Sequence, residues 1–403
     1  MKIKNCRSCK SQKLTKVYSL GKQSLTGIFP PKKNSKVTKG RLSLVLCNKC
    51  KLLQLENNFN PLEMYGDNYG YMSSLNKSMV SHLKLKSQQL KSNYNFNKND
   101  NVLDIGSNDG TFLSFFSKKL NLFGCDPTIK KFSKYYRKDI KQIPDFFSSK
   151  LFVNKKFKLI TAISMFYDLP EPLKFAKEIN SILAKDGIWH IELSYMPMMI
   201  KNISYDTICH EHLEYYSLHS IKYLLDKAGL KIINLSFNQT NGGSIALDVS
   251  KKSSKYKKCE YLISWVLKSE KLNRYNTIKR QKEFFIECKT HKILLKKLIN
   301  NLKKNGKSIY GYGASTKGNV LLQYCKFTSK DIKYIGEVNK FKFDKYTPGS
   351  KIKIISEKKL KKMRPDYLLV LPWHFKDNII KKEQAYLNSG GKLLFPLPDI
   401  EII

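Results

Sequence analysis

Arginine is scarce in this strongly basic chain: 6 arginines stand against 68 lysines, and the 403 residues carry a formal charge of +42. Arginine makes the planar, bidentate contacts to phosphate and guanine, so its scarcity argues against a dedicated nucleic-acid reader. The lysines are spread along the whole chain and read as a solvated surface. Basic and aromatic residues do not interleave as in a stacking platform for single strands. No specific nucleic-acid partner is expected, although a positive field favours the approach of a polyanionic small substrate. Long hydrophobic runs are also missing. No stretch approaches the roughly 18 apolar residues of a membrane span, and the greasiest piece, Tyr367-Leu-Leu-Val-Leu-Pro372, has strand length. The start, MKIKNCRSCK, has no apolar h-region of a secretory signal, so a cytoplasmic location is expected. Disorder is excluded by a hydrophobic content of 41% and an aromatic content of 12%. At about 100–200 residues per domain, the length suggests two or three domains.

Nine cysteines in a chain of this kind do not read as a disulfide framework. Four are organised: Cys6-Arg-Ser-Cys9 and Cys47-Asn-Lys-Cys50 are two CxxC knuckles, 37 residues apart. Each knuckle presents two thiolates to one ion, and two knuckles complete a tetrahedral zinc site. Lys10, Lys49 and Lys51 flank it and offset its negative charge. A redox CxxC is the competing reading, but a pair of knuckles favours zinc. With four protein ligands no coordination position stays open, so the zinc is expected to be structural, stapling a module over residues 1–68. Cys125, Cys209, Cys259, Cys288 and Cys325 are scattered and are expected mostly as small buried hydrophobes.

The run Asn101-Val-Leu-Asp-Ile-Gly-Ser-Asn-Asp-Gly-Thr-Phe-Leu113 reads as buried strand, glycine turn and helix start. Gly106 and Gly110 let backbone approach a ligand at the strand's carboxyl end. Twenty-two residues after Asp104, Asp126 closes a second strand-like run, where an acid accepts ribose hydroxyls. The pattern is D-x-G-x-x-x-G rather than the dinucleotide G-x-G-x-x-G. With Asp126 and the strand Phe157–Met165, it resembles motifs I and II of class I S-adenosylmethionine (SAM) methyltransferases. That resemblance implies a Rossmann-like SAM domain over residues 76–250, with Asp104, Gly106, Asn108, Gly110, Asp126, Asp145 and Phe146 around the cofactor. A helix N-cap is the plain alternative for Asp145.

Further on, Tyr205-Asp-Thr-Ile-Cys-His210-Glu211-His212-Leu-Glu-Tyr-Tyr-Ser217 gathers two imidazoles and a carboxylate within three residues. It is not HExxH, because histidines at i and i+2 do not share one helix face. One imidazole can serve as a general base if a second group orients it. Asn241-Gly-Gly-Ser244 is a weaker companion, equally well explained as a hairpin turn. The charged, helix-prone stretch from Lys251 to Asn305 leads into Lys307-Ser-Ile-Tyr-Gly-Tyr-Gly-Ala-Ser-Thr-Lys-Gly-Asn319, again strand, glycine turn and helix. A second Rossmann-like domain over 255–403 follows, with strands at Ile332–Glu337, Tyr367–Leu371 and Lys392–Pro396. Its glycine turn can cradle a pyrophosphate, with Tyr312 and Lys317 as candidate substrate contacts. The alternative is that the turn serves only packing. The Pro372-Trp-His-Phe375 loop is a candidate cleft wall.

Taken in order, the two knuckles, the VLDIGSNDGTFL loop, the His-Glu-His run, the NGGS turn and GYGASTKGN resemble the sugar C-methyltransferases of deoxysugar biosynthesis. The resemblance covers nearly the whole chain. It implies an α/β architecture of zinc module, SAM domain and nucleotide-sugar domain, and methylation of the carbon beside the ketone of a nucleotide-linked 4-keto-6-deoxysugar. It also implies that Tyr69 or Tyr71 reaches the sugar. Ketone chemistry then calls for a base, and His212 is the expected one, with Glu211 and His210 orienting or polarising it. The sequence departs from the family at Cys209, where members carry a tyrosine; Tyr215 or Tyr216 is a candidate replacement. Two other readings stay open: a methyltransferase acting on N or O of another small molecule, and a zinc-containing nucleic-acid-binding protein.

Overall fold

Three β-sheets organise the structure, a computed structural model that describes residues 2–65 and 71–403. Strands Leu14–Ser24 (β1), Lys39–Cys47 (β2) and Leu53–Leu55 (β3) form an antiparallel sheet. The central sheet begins with Asn101–Ile105 (β4), Asn121–Cys125 (β5), Lys141–Ile143 (β6), Phe157–Ile163 (β7) and Leu183–Ser194 (β8), all parallel. Next comes Glu214–Tyr215 (β9), which pairs with β3 and becomes the fourth strand of the first sheet. Leu230–Asn238 (β10) and Ser244–Lys251 (β11) complete the central sheet as an antiparallel hairpin on β8. Its strand order is β10-β11-β8-β7-β4-β5-β6. The third sheet, β14-β13-β12-β15-β16-β17, uses Ile309–Tyr312 (β12), Tyr334–Glu337 (β13), Lys353–Ser356 (β14), Tyr367–Val370 (β15), Lys392–Phe395 (β16) and the antiparallel edge Glu401–Ile402 (β17).

Both parallel sheets reverse direction of strand addition once, between β4 and β7 and between β12 and β15. Loops leaving the carboxyl ends diverge at such points and open a crevice. This is the expected α/β plan: a small four-cysteine module, a Rossmann-like sheet and a second α/β unit.

The packing does not follow three separate modules. One apolar core runs from Leu44 and Leu55 of the first sheet through Tyr205, Ile208 and Leu213 to Ile309 and Leu369 of the third and Val320 of helix Thr316–Tyr324. Helix Ile278–Lys304 buries Phe284, Cys288, Leu295 and Ile299 along one face, the spacing of an amphipathic helix. Its Phe284 meets the Tyr18 ring edge-on at 5.6 Å. Cys125, Cys209, Cys288 and Cys325 are buried, and Cys259 is half-buried. Among the described residues no helix is long and apolar enough to cross a membrane.

The four organised thiols converge. Cys6 and Cys50 sulfurs lie 3.5 Å apart, as do those of Cys9 and Cys47, and all four fall within 4.8 Å of one another. A tetrahedral site with Zn–S bonds of about 2.3 Å has sulfur–sulfur edges of about 3.8 Å, so the cluster fits zinc. Gln54 Nε2 donates to Cys6 Sγ at 3.2 Å, an outer-shell contact that fixes the thiolate. We expect one zinc per chain by elemental analysis. Cys6→Ser should remove it and lower the melting temperature by more than about 10 °C; a metal-free wild type of full stability would contradict this.

His210 is fully buried between the Gly40 carbonyl, which accepts from its Nε2–H at 3.4 Å, and the Phe59 ring, edge-on at 4.8 Å. Burial pulls this imidazole from 6.5 down to about 4. Below pH 6.5 the unfolded chain therefore takes up a proton that native His210 refuses. Stability falls with pH through that window by up to about 1.4 kcal/mol per pH unit for this site. His210→Gln should show a shallower loss than wild type in urea melts from pH 7 to 4.5; parallel slopes would refute the assignment.

Candidate active site

The first crevice is built on the glycine loop after β4. Gly106 and Gly110 take left-handed backbone angles, φ +76° and +75°, which glycine adopts without strain. A Cβ on Gly106 would come within 3.0 Å of Met165 Cγ in the loop after β7. Asp104 is buried below the loop, accepts the Thr161 hydroxyl at 2.6 Å and is pushed up to about 7 by desolvation. Asp126 ends the second strand. One of its oxygens accepts Asn108 N–H at 2.9 Å; the other accepts the Thr128 N–H and hydroxyl. Each oxygen has more than one lone pair, so ribose hydroxyls can still be received. Asp145 and Phe146 lie exposed after β6, an acid and an aromatic face open to an adenine. Asp145 caps no helix: its carboxylate takes the Phe146 N–H, and the next helical turn is capped by Ser148. This acid-and-glycine set, with an open aromatic, fits a nucleoside cofactor.

Asn108 does different work from that expected. Its side chain donates to the Tyr71 carbonyl at 3.2 Å and accepts Ser73 N–H at 3.0 Å, while Asp109 accepts Ser74 N–H. The cofactor loop thus pins residues 71–74 beside it, and Tyr71 is 43% exposed there. Tyr69 lies outside the described residues.

The His-Glu-His run has no helical geometry, and its three side chains part. His212 donates from Nδ1–H to the Thr207 carbonyl at 2.8 Å, which leaves the Nε2 lone pair available. Its ring meets Tyr167 at 4.5 Å. Burial and the nearby Lys317 cation pull it down to about 3, so it is neutral at working pH. Glu211 instead accepts the Thr26 hydroxyl at 3.3 Å and crowds Gly27, with burial raising its carboxyl. His210 faces Gly40 and Phe59. The expected orienting role of Glu211 and His210 is therefore corrected: Thr207 orients His212. The chain bends at His210 and Glu211, so closeness in sequence did not mean closeness of side chains.

The third sheet supplies the opposite wall. Lys317 Nζ donates to the Asn241 carbonyl of the NGGS turn at 2.7 Å, so that turn is both a hairpin connection and a site element. Trp373 Nε1–H donates to Asp206 Oδ2 at 2.7 Å, and a Cβ on Gly242 would strike the same indole at 2.8 Å. Asp206 Oδ1 and His374 Nδ1 are buried without hydrogen-bond partners among the described residues. Burial raises Asp206 and lowers Lys317, and His374 is driven well down by burial and the Lys317 charge.

Two expectations for this domain change. Tyr312 donates to Glu383 at 2.8 Å and accepts from Lys382, so its hydroxyl is engaged within the third unit, apart from His212. The glycine turn is a packing turn: Gly313 abuts Pro372, Gly318 abuts Leu371, and the Ala314 N–H is taken by the Glu337 carboxylate at 2.9 Å. An anion already occupies that donor. Of the candidate replacements at Cys209, Tyr215 donates to the His212 carbonyl at 3.0 Å, and Tyr216 is buried towards the Cys6 and Cys50 thiols.

Asp206, Thr207, Ser164 and Tyr167 were missed by sequence reasoning. Only Tyr167 and Ser164 had a signal, as polar residues just past a strand carboxyl end beside the switch point.

Comparison with known proteins agrees with this layout. Residues 6–65 match a zinc binding domain, 81–235 a methyltransferase domain, and 239–398 the C-methyltransferase C-terminal domain. The C-methyltransferase NovU of Streptomyces niveus is 26% identical over 411 residues, covering 100% of this chain and 97% of that protein. A SAM-dependent methyltransferase of Clostridium acetobutylicum superposes with a TM-score of 0.33 at 16% identity, over 42% of this chain and 89% of its own. The mitomycin 7-O-methyltransferase MmcR gives a TM-score of 0.34 at 12% identity, over 44% and 56%. With a four-thiol zinc module, a glycine-loop crevice and the matching carboxyl-terminal domain joined in one order, the chain has the domain set of a SAM-dependent methyltransferase and is similar over its whole length to a C-methyltransferase.

Proposed function

We propose that this protein methylates the carbon beside the ketone of a nucleotide-linked 4-keto-6-deoxysugar, a cytoplasmic step of deoxysugar assembly. The observation that carries the reading is His212: a neutral imidazole, fixed through Nδ1, between the glycine-loop crevice and the Lys317–Asp206–His374 wall. A carbon beside a ketone becomes nucleophilic only when it loses a proton.

Gly106, Gly110, Asp126, Asp145 and Phe146 are the groups that would hold SAM. When bound, SAM supplies an electrophilic methyl to the carbanion. His212 Nε2 takes the proton from the sugar carbon; the C–H pair becomes the C=C bond, and the carbonyl pair moves onto oxygen. The Thr207 carbonyl, bonded to Nδ1–H, stabilises the imidazolium that forms. Lys317, buried at the other wall, is suited to the diphosphate of the nucleotide. An anion there also cancels the cation that weakens His212 as a base, so substrate binding raises its basicity. Tyr71, exposed beside the cofactor loop, is the described tyrosine that can approach the sugar.

The test is mass spectrometry of nucleotide 4-keto-6-deoxysugars incubated with the protein and methyl-labelled SAM. One labelled methyl on carbon is expected; no gain across the sugars, with SAM bound, would discard the ketosugar. His212→Ala should lower methyl transfer by about 10²–10⁴-fold while SAM affinity stays within a few-fold. Normal turnover would sink the base. Lys317→Ala should raise KM for the sugar about tenfold or more, with SAM affinity unmoved; an unchanged KM would remove Lys317 from the diphosphate site.

A further inference from the structure

We propose that Tyr167 is the hydrogen-bond donor that holds the acceptor's ketone oxygen while it carries negative charge. The assignment rests on the ketosugar reading above and adds to it the group that stabilises the enolate.

Tyr167 lies on the loop that leaves β7 at the switch point, two residues from Met165, the side chain packed against Gly106. It is therefore between cofactor loop and base. Its ring contacts His212 at 4.5 Å, inclined by 65°. Its carbonyl accepts Leu213 N–H at 2.8 Å, so backbone as well as side chain fixes it relative to the imidazole.

The loop is built to aim this phenol. Ser164, three residues before it and an electrostatic neighbour of the phenol, sits in the left-handed region at φ +56°, uncommon for a serine. Two contacts hold Ser164 there: its N–H donates to the Glu192 carbonyl at 2.8 Å, and its hydroxyl accepts Asn241 Nδ2–H at 3.1 Å. Asn241 is itself left-handed, φ +57°, with its carbonyl bound to Lys317. Strained, non-glycine backbone held by several partners clusters at functional sites. Because Asn241 donates to Ser164, the serine hydroxyl hydrogen is free to point to Tyr167 Oη, and the phenol hydrogen is left for a substrate oxygen.

Chemistry agrees with geometry. The phenol is buried, and burial with the nearby Asp168 and Cys209 holds it protonated far above pH 10. It acts as a donor, never a base, which complements His212. Of the other buried phenols in this region, Tyr215 is bound to the His212 carbonyl and Tyr205 to His291 at 3.0 Å, while Tyr216, unpartnered among the described residues, lies towards the Cys6 and Cys50 thiols. In the reaction Tyr167 keeps its proton throughout. Its O–H bond to the carbonyl shortens as the C=O pair moves onto oxygen, and relaxes when the ketone re-forms.

The experiment is Tyr167→Phe, followed by exchange of the sugar's acidic C–H for deuterium in D2O and, separately, by methyl transfer. Exchange reports enolate formation alone. We expect both to fall by about 10²–10³-fold, with SAM affinity, melting temperature and the acid limb of the pH profile unmoved. Ser164→Ala, which only loosens the phenol, should cost about tenfold. Exchange within threefold of wild type in Tyr167→Phe overturns the proposal. So does intact exchange with lost methyl transfer, which would make Tyr167 a methyl-positioning residue. If Tyr167→Phe melts early, Ser164→Ala decides, and unchanged exchange in it overturns the role. A wild type that neither exchanges nor methylates any ketosugar overturns the reaction reading and the enolate role together, whereas an active wild type with an equally active Tyr167→Phe overturns the role alone.

Discussion

Leu213 carries the two hydrogen bonds on which the geometry of the site depends. Its N–H donates to the Tyr167 carbonyl of the central unit at 2.8 Å, and its carbonyl accepts Leu55 N–H of the first sheet at 2.9 Å. The residue before it is His212, and the two after it form β9. A slip of one residue would turn the imidazole to the opposite side. What prevents the slip is the first sheet. Gln54 pairs with Glu214 in the ladder and also donates to Cys6 Sγ. Arg7, between Cys6 and Cys9, reaches across to the Leu55 carbonyl and lies 3.7 Å from Glu214. The four-cysteine module thus bears on the position of His212 through strand register. One of only 6 arginines stands here, where a rigid, many-donor guanidinium is needed and a lysine would not serve.

The same seam sets the electrostatics. Around His212 the chain gathers a buried lysine, a second imidazole and a buried acid, and desolvation drives each towards its neutral form. Burying charged groups without a partner of opposite charge is costly. Under the proposed function, an acceptor that brings a diphosphate would restore the balance on binding. The overall +42 acts at longer range, on encounter rather than on the chemistry.

How far the sequence can be read follows from the range of each interaction. The knuckles, the glycine loop, Asp126 and the strands of both parallel sheets were legible, because spacing along one segment determines them. The contacts within His210–His212 were not, because nothing local says that Thr207, five residues back, would hold the His212 ring. Tyr312 looked like a ligand contact for its place in a glycine turn, yet Glu383 and Lys382, 71 and 70 residues away, claim its hydroxyl. Tyr167 and Asp206 gain meaning only through partners in other sheets. Cys209 reads alone as a lost tyrosine; in the fold a phenol from the loop after β7 stands next to it.

The placement of the two crevices explains why the turn at 241–244 must be so lean. Each parallel sheet opens at its own switch point, and the two open towards each other: the loop after β15 brings Trp373 onto Gly242, and the helix after β12 brings Lys317 onto Asn241. A Cβ at 242 would overlap the indole at 2.8 Å, and one at 243 would overlap Met198 at 2.6 Å, both at positive φ. Any side chain there would wedge the sheets apart and draw Trp373 from Asp206 and Lys317 from Asn241. Through Asn241 the displacement would reach Ser164. The glycines therefore set the distance between the cofactor crevice and the opposite wall. In-line transfer depends on that distance, since an ångström of misplacement can cost about 10²-fold in rate.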